Sequence, residues 1–150
     1  MIRSQSPPII PCPKKRGEWA ELVFMARAAA HGLTVSKPYG ESARYDFVVE
    51  GRRLQRVQVK STTNKYKYGN SYIVALRTDN LARRKRYDVP SRRYTRKQID
   101  FIAAYVVPAD VWYILPIRLI EKLASNIWLT PGKIPHRHER YREAWHLLKC

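Results

Sequence analysis

Cysteine is scarce in this sequence: two among 150 residues, Cys12 and Cys150, at opposite ends of the chain. That excludes a disulfide framework and points to a reducing compartment, with the cytoplasm as the expected location. Long apolar runs are missing too. The longest, Phe101 to Val107, has seven residues, against the roughly 18 to 20 that a bilayer-spanning helix requires, so no membrane partner is expected. Residues 1–13 contain four prolines and nothing resembling the apolar core of a signal peptide. They read as a flexible N-terminal arm ahead of one domain over residues 14–150, with no internal repeat and no linker. Acidic residues are the third shortage: 12 Asp+Glu against 29 Lys+Arg leave a net charge of +17. A magnitude of roughly 2 to 8 is enough to keep a small domain soluble. The surplus therefore calls for a polyanionic partner.

With 45% apolar and 27% charged residues the chain can build a core. Gly17 to His31, GEWAELVFMARAAAH, has no proline and five alanines, and Gly32 follows where a C-terminal cap is expected, so it predicts a helix. Leu33 to Lys37 predicts a short strand. Arg44 to Glu50 and Leu54 to Ser61 predict a hairpin around Gly51-Arg52-Arg53. Ser71 to Leu76 reads as a further strand and Asn80 to Ser91 as a long exposed loop. Ile99 to Val107 and Val111 to Leu115 form a second hairpin, whose first strand is apolar on both faces like the middle of a sheet. Pro116 to Ala124 predicts a short helix. The spacing of Tyr141, Ala144, Trp145 and Leu148 predicts a terminal helix over His138 to Lys149.

On a helical wheel Glu18 and Glu21 are i, i+3 neighbours and share a side with Leu22, Met25 and Ala29, which places carboxylates toward the core. An unpaired buried carboxylate costs several kcal/mol, so such a pair needs a cation, a hydrogen-bond partner or a raised pKa. The bland alternative is that both favour the helix N-terminus or pair with Arg16. On the second strand Arg56, Gln58 and Lys60 share one face and the valines the other. A three-residue loop at Gly51-Arg52-Arg53 pairs Glu50 with Leu54, Val48 with Arg56 and Asp46 with Gln58. Asp46 then lies beside Gln58 and near Lys60, whereas a two-residue loop would put them on opposite faces. A strand acid, an amide oxygen, a lysine and a glutamate from the preceding helix suit a hard divalent cation such as Mg²⁺. The lysine can orient water or stabilise the attacking hydroxide or the phosphorane. Phosphodiester hydrolysis is the reaction this equipment serves. A solvated strand face crossed by a salt bridge is the competing reading.

The order RGEWAE, RYDFVV, LQRVQVKST resembles the PD-(D/E)xK nuclease superfamily. It is most similar to the homing-endonuclease-like branch associated with group I introns, in which glutamine stands where the motif usually has an acid. The opening helix also resembles the (K/R)GxxAE helix of archaeal Holliday junction resolvases, a match that assigns the helix acid to Glu21 and leaves Glu18 auxiliary. The resemblance runs over roughly residues 14–149 and implies a restriction-endonuclease-like α/β core, a mixed central sheet flanked by helices. It implies catalytic roles for Glu21, Asp46, Gln58 and Lys60, and a Mg²⁺ ion, replaceable by Mn²⁺, held by Asp46, Gln58, the Val59 carbonyl and Glu21. No proline precedes Asp46, and Gln58 brings no charge to the ion.

Arg52 to Lys97 holds 15 of the 29 basic residues with only Asp79 and Asp88 to offset them. Arg44, Lys65, Lys67, Arg83, Arg84, Lys85, Arg86, Arg92 and Arg93 are the expected phosphate contacts, interleaved with tyrosines that either stack on bases or are buried. The four tryptophans read as core. His136, His138 and Cys150 match no standard zinc spacing. The expected function is a Mg²⁺-dependent DNA endonuclease. A nucleic-acid-binding module that kept the fold and lost the chemistry is the alternative, motivated by Gln58, and a basic RNA-associated protein ranks last. Cutting both strands with one site per chain implies a homodimer or homotetramer.

Overall fold

The computed structural model describes residues 6–77, 93–123 and 125–150. The expected loop at Asn80 to Ser91 lies outside the described residues, as do Arg83, Arg84, Lys85, Arg86 and Arg92. A helix, α1 (Pro13–Ala30), is followed by β1 (Thr34–Ser36), β2 (Phe47–Glu50), β3 (Leu54–Thr62), β4 (Tyr72–Ala75), β5 (Phe101–Val106) and β6 (Val111–Pro116). A single helical turn, α2 (Ile117–Ile120), and β7 (Asn126–Leu129) come next, then two 3-10 turns at Glu139–Tyr141 and Trp145–Leu148. Five strands make a mixed sheet in the order β1-β2-β3-β5-β6, and β4 with β7 make a second, two-stranded sheet. Among the described residues of the large sheet only the β3–β5 pair is parallel.

Strands β5 and β6 are buried along their whole length, so each face of the large sheet meets a core. One face packs α1 and the C-terminal segment, through Phe24, Phe47, Trp112 and Trp145. The other packs the small sheet and the 94–99 region, through Val74, Tyr94, Ile102 and Ile127. The doubly apolar character of Ile99 to Val107 foreshadowed this. The hairpin has the three-residue loop: Glu50 faces Leu54 and Val48 faces Arg56. Gly51 explains why the turn is held so firmly. A Cβ there would overlap the Leu148 carbonyl oxygen, while Arg52 N–H donates to the Lys149 carbonyl at 3.2 Å and the Gln55 side chain to the Cys150 carbonyl at 2.7 Å.

Several expectations are corrected. Helix α1 starts four residues before Gly17, with Pro13 in its first turn, where a missing N–H costs nothing. Its buried row is Ala20, Phe24 and Ala28; Leu22, Met25 and Ala29 are exposed. The helix is apolar on more than one side, and packing selected the row whose two alanines let the backbone approach the sheet while Phe24 fills the gap. The expected helix over Pro116 to Ala124 is one turn. Strand β7, which had no counterpart in the sequence reading, pairs antiparallel with β4.

The expected terminal helix is absent as well. The segment breaks at Glu143, whose φ is +48°. Its backbone N–H donates to the Trp112 carbonyl, and its carboxylate accepts from the Trp112 N–H and the Trp145 indole N–H, all at 2.7 Å. Bonds to the β6 backbone are worth more here than continued helix, yet Ala144, Trp145 and Leu148 are buried as their spacing suggested. Among the described residues no helix is long and apolar enough to cross a membrane.

Phe24 is fully buried, with ring centroids at 5.3 Å from Phe47, 5.6 Å from Trp112 and 5.7 Å from Trp145. Phe24→Ala should cost about 3–5 kcal/mol in chemical denaturation. Gly51→Ala should destabilise the protein as well, although the site is a surface turn, because the obstacle is backbone.

Candidate active site

The β2–β3 ribbon and α1 bring the candidate residues to one end of the large sheet. Asp46 stands just before β2, which starts at Phe47 and not at Arg44 as expected. Its N–H donates at 3.0 Å to the carbonyl of Val57, the residue set opposite Phe47; the ladder pairing expected between Asp46 and Gln58 is therefore not formed, and the two meet through their side chains. Its Oδ2 accepts the Gln58 Nε2 at 2.6 Å and the Val59 backbone N–H at 2.7 Å. The carboxylate thereby crosses the ribbon and bonds a β3 backbone donor beyond Val57, the last β3 residue that β2 pairs. Gln58 Nε2 also approaches the Val59 carbonyl at 3.3 Å. With its NH₂ spent on these acceptors, the amide has Oε1 left as an oxygen donor for a cation.

Lys60, two residues on, is held by burial below the ordinary lysine range, against the attraction of Asp46 and with a further push from Arg44. Its Nζ donates to the Arg77 carbonyl at 3.3 Å and lies 5.5 Å from the centre of the Tyr94 ring. The Arg44 guanidinium lies at the same distance from that ring. Tyr94 is buried, and burial together with the Asp46 charge pushes its hydroxyl well above the usual tyrosine range. Two cations therefore share one aromatic ring next to an aspartate.

Glu21 is half-buried at the rim of α1. Its Oε2 accepts Lys37 Nζ at 2.7 Å, an interaction that raises the lysine, and Asp46 and Glu18 act on the same ammonium group. Lys37 also lies 5.7 Å from the centre of the Phe47 ring. Burial, with the Glu21 charge added, holds the Asp46 carboxyl above the usual carboxylate range, and the bonds from Val59 and Gln58 and the field of Lys60 offset only part of this.

Asp46 thus meets Gln58 through a side-chain bond and Lys60 through its field, and Glu21 joins them electrostatically. Glu18 is exposed, one turn back on the helix. Among the described residues no group of three or more His, Cys, Asp or Glu side chains is placed to hold a metal. The donors at this site are two carboxylates, an amide oxygen and a backbone carbonyl, a hard-oxygen set that fits Mg²⁺, which tolerates few protein ligands and retains water. Of the expected phosphate contacts, Lys65, Lys67 and Arg93 are exposed and Arg44 is half-buried.

Lys37 and Tyr94 were missed as site residues in the sequence reading. Lys37 was legible in principle: β1 pairs Ser36 with Val48, so the next step along the ladder sets Lys37 against Phe47, beside Asp46. Tyr94 was among the tyrosines expected to stack on bases or be buried, and it is buried, but nothing in the sequence tied it to Lys60 or Arg44, because it is distant from both in the chain.

The raised Asp46 carboxyl has a consequence for stability. The folded protein binds that proton more tightly than the unfolded chain, so this group's contribution falls as pH rises from the ordinary carboxylate range through the raised value, and levels off above it. Asp46→Asn removes the charge and keeps an acceptor. The melting temperature of Asp46→Asn relative to the parent should therefore climb across that pH interval, a site charge being retained at a cost to the fold. A difference that does not vary with pH would contradict this.

The PD-(D/E)XK endonuclease family model matches residues 12–148. No curated protein sequence matches the chain. Among solved structures, the bacterial homing endonuclease I-Ssp6803I superposes with a TM-score of 0.75 at 31% sequence identity, over 91% of this chain and 92% of that one. The mixed sheet flanked by helices is the restriction-endonuclease-like core. On the extent of both matches, this chain belongs to the PD-(D/E)XK endonuclease family.

Proposed function

We propose that the protein is a Mg²⁺-dependent DNA endonuclease that hydrolyses phosphodiester bonds with Asp46, Gln58, Lys60 and Glu21. The observation that carries the reading is the Asp46 carboxylate, bonded at once to the Gln58 amide and the Val59 backbone, with Lys60 on the same strand within its field. Asp46, the Gln58 Oε1, the Val59 carbonyl and Glu21 would hold the ion, which Mn²⁺ can replace. When bound, the ion supplies Lewis-acid polarisation of the phosphate and lowers the cost of deprotonating water.

The remaining work falls to the chain. Lys60, partly desolvated over Tyr94, places positive charge where it develops the strongest interaction with a phosphorane and can orient the attacking water. Asp46 and Gln58 fix one another, so neither must be ordered when DNA arrives. Lys37 keeps the Glu21 carboxylate at the rim of the site in the absence of an ion. Phosphate contacts by Arg44, Lys65, Lys67 and Arg93, with Arg83, Arg84, Lys85, Arg86 and Arg92 from outside the described residues, would steer and anchor the duplex. One such site per chain cuts one strand; double-strand cutting calls for a homodimer or homotetramer.

The second reading, a DNA-binding module without catalysis, draws on one observation: Gln58 spends its amide on Asp46 and contributes no charge to an ion. Cleavage and metal binding separate the two. With Mg²⁺ or Mn²⁺ the protein should nick or cut DNA, and Asp46→Ala and Lys60→Ala should each lower the rate by about 10²–10³-fold or more while leaving DNA affinity nearly intact. Intact DNA after exhaustive trials with junctions and supercoiled plasmid, and no heat of Mg²⁺ or Mn²⁺ binding in the presence of DNA, would favour the inactive module.

Gln58→Glu offers an independent test. It sets two carboxylates at hydrogen-bonding distance with no donor between them. The variant should melt below the parent in EDTA and recover more than the parent does on adding Mg²⁺. Equal responses to the ion would contradict its position at Gln58.

A further inference from the structure

Three aromatic rings stand outside both cores, on a finger next to the site. The chain leaves β3 and turns back into β4 through residues 63–71. Bonds from Thr62 Oγ1 to the Ile73 carbonyl (2.7 Å), from the Ile73 N–H to the Asn64 carbonyl (2.9 Å) and from the Tyr66 N–H to the Ser71 carbonyl (2.8 Å) hold this turn in shape. Tyr66 and Tyr68 lie on it, and Trp128 joins them from the outward face of β7. The Tyr66 ring centre is 4.7 Å from Trp128 and 5.8 Å from Tyr68, both edge to face. These rings are 38% (Tyr66), 77% (Tyr68) and 43% (Trp128) exposed. The expectation that every tryptophan is core fails at Trp128, because the β7 alternation that buries Ile127 and Leu129 turns it outward.

Clustered aromatic surface outside the core, on backbone held by hydrogen bonds, offers ring faces to a partner, and the surroundings limit what can bind. Lys65 and Lys67 are exposed on the same turn, with Lys67 Nζ 5.2 Å from the Tyr68 ring centre. Between Glu50 and Asp79 the sequence has seven basic residues and no acidic one. A second copy of a chain carrying +17 is a poor match for such a surface. A partner offering both negative charge and flat rings is a nucleic acid with unpaired bases, since paired bases keep their faces in the stack. The finger is also close to the chemistry. The six residues from Lys60 to Tyr66 span at most about 20 Å, the length of about six base pairs.

We infer that Tyr68, Trp128 and Tyr66 form a stacking platform for unpaired bases of the DNA strand near the scissile phosphate, so that the preferred substrate carries an opened or unpaired stretch next to the cut. The inference rests on the nuclease reading only for DNA as the partner. Stacking on aromatics adds affinity with little dependence on sequence, and Lys65 and Lys67 hold the adjacent phosphates.

The test is fluorescence anisotropy in EDTA over a range of salt, with a fully paired duplex and the same duplex carrying a bubble of several mismatches. Tyr68→Ala, at a position too exposed to unfold the protein, should lower bubble affinity about 5- to 100-fold, leave duplex affinity within twofold as a rough margin, and keep the salt slope. Tyr68→Phe should restore binding. Lys65→Ala with Lys67→Ala should instead flatten the salt slope on both DNAs, by up to about 0.9 per residue. Unchanged bubble affinity in Tyr68→Ala, or an equal loss on both DNAs, would overturn the platform and leave the nuclease reading intact. Failure of the parent to bind either DNA would overturn both. Self-association lost in Tyr68→Ala, seen by sedimentation, would assign the rings to contact between copies and overturn the inference.

Discussion

Asp46 is bonded across a β-ribbon to the strand beside it, and the rest of the site takes its shape from that attachment. Its Oδ2 takes one hydrogen bond from the Gln58 side chain and one from the Val59 backbone. A slip of one residue would turn Asp46 to the opposite face, away from Lys60 and Glu21. The register that prevents the slip is set at the other end of the ribbon, where Gly51 lies against the Leu148 carbonyl and the C-terminal segment is bonded to Arg52 and Gln55. That segment is held in turn by Glu143 on the two tryptophans. A chain of ordinary hydrogen bonds thus runs from the C-terminal residues to the functional end of the sheet.

Electrostatics at the site run against folding. Asp46 is half-buried near a second carboxylate, and Lys60 is half-buried next to the arginine that shares its aromatic ring. A neutral Gln58 moderates the conflict, since an acid there would repel Asp46, and the cost falls on attraction for a cation. The Lys37 pairing with Glu21 serves the same end from the helix side. Among the described residues Lys65, Lys67 and Arg93 carry positive charge at exposed positions, where it costs little and can meet phosphate.

Most of the site was legible because its residues are local to one ribbon. The alternation of Gln58 and Lys60 with valines, together with a three-residue turn, brings Asp46 to the same stretch of ribbon, although Asp46 lies just outside the paired residues and reaches Gln58 by its side chain. Glu21 needed the family resemblance, since the wheel placed it on the wrong apolar row, with Leu22 and Met25. The doubly apolar β5 announced a central strand, whereas β7 and the broken terminal segment depend on partners distant in sequence: β4 for the one, the β6 backbone for the other. Propensity and periodicity do not see such bonds. For the same reason nothing tied Tyr94, which sits under both Lys60 and Arg44, to the site.

The central claim is that these side chains surround one cation, and the most direct measurement is a crystal structure with Mn²⁺ and an uncleavable DNA, read through the anomalous signal of the metal. The account predicts a peak within about 2.0–2.3 Å of an Asp46 oxygen, the Gln58 Oε1 and the Val59 carbonyl, with Glu21 reaching it directly or through one water. A strong metal peak elsewhere on the protein, with Asp46 still bonded only to Gln58 and Val59, would contradict it.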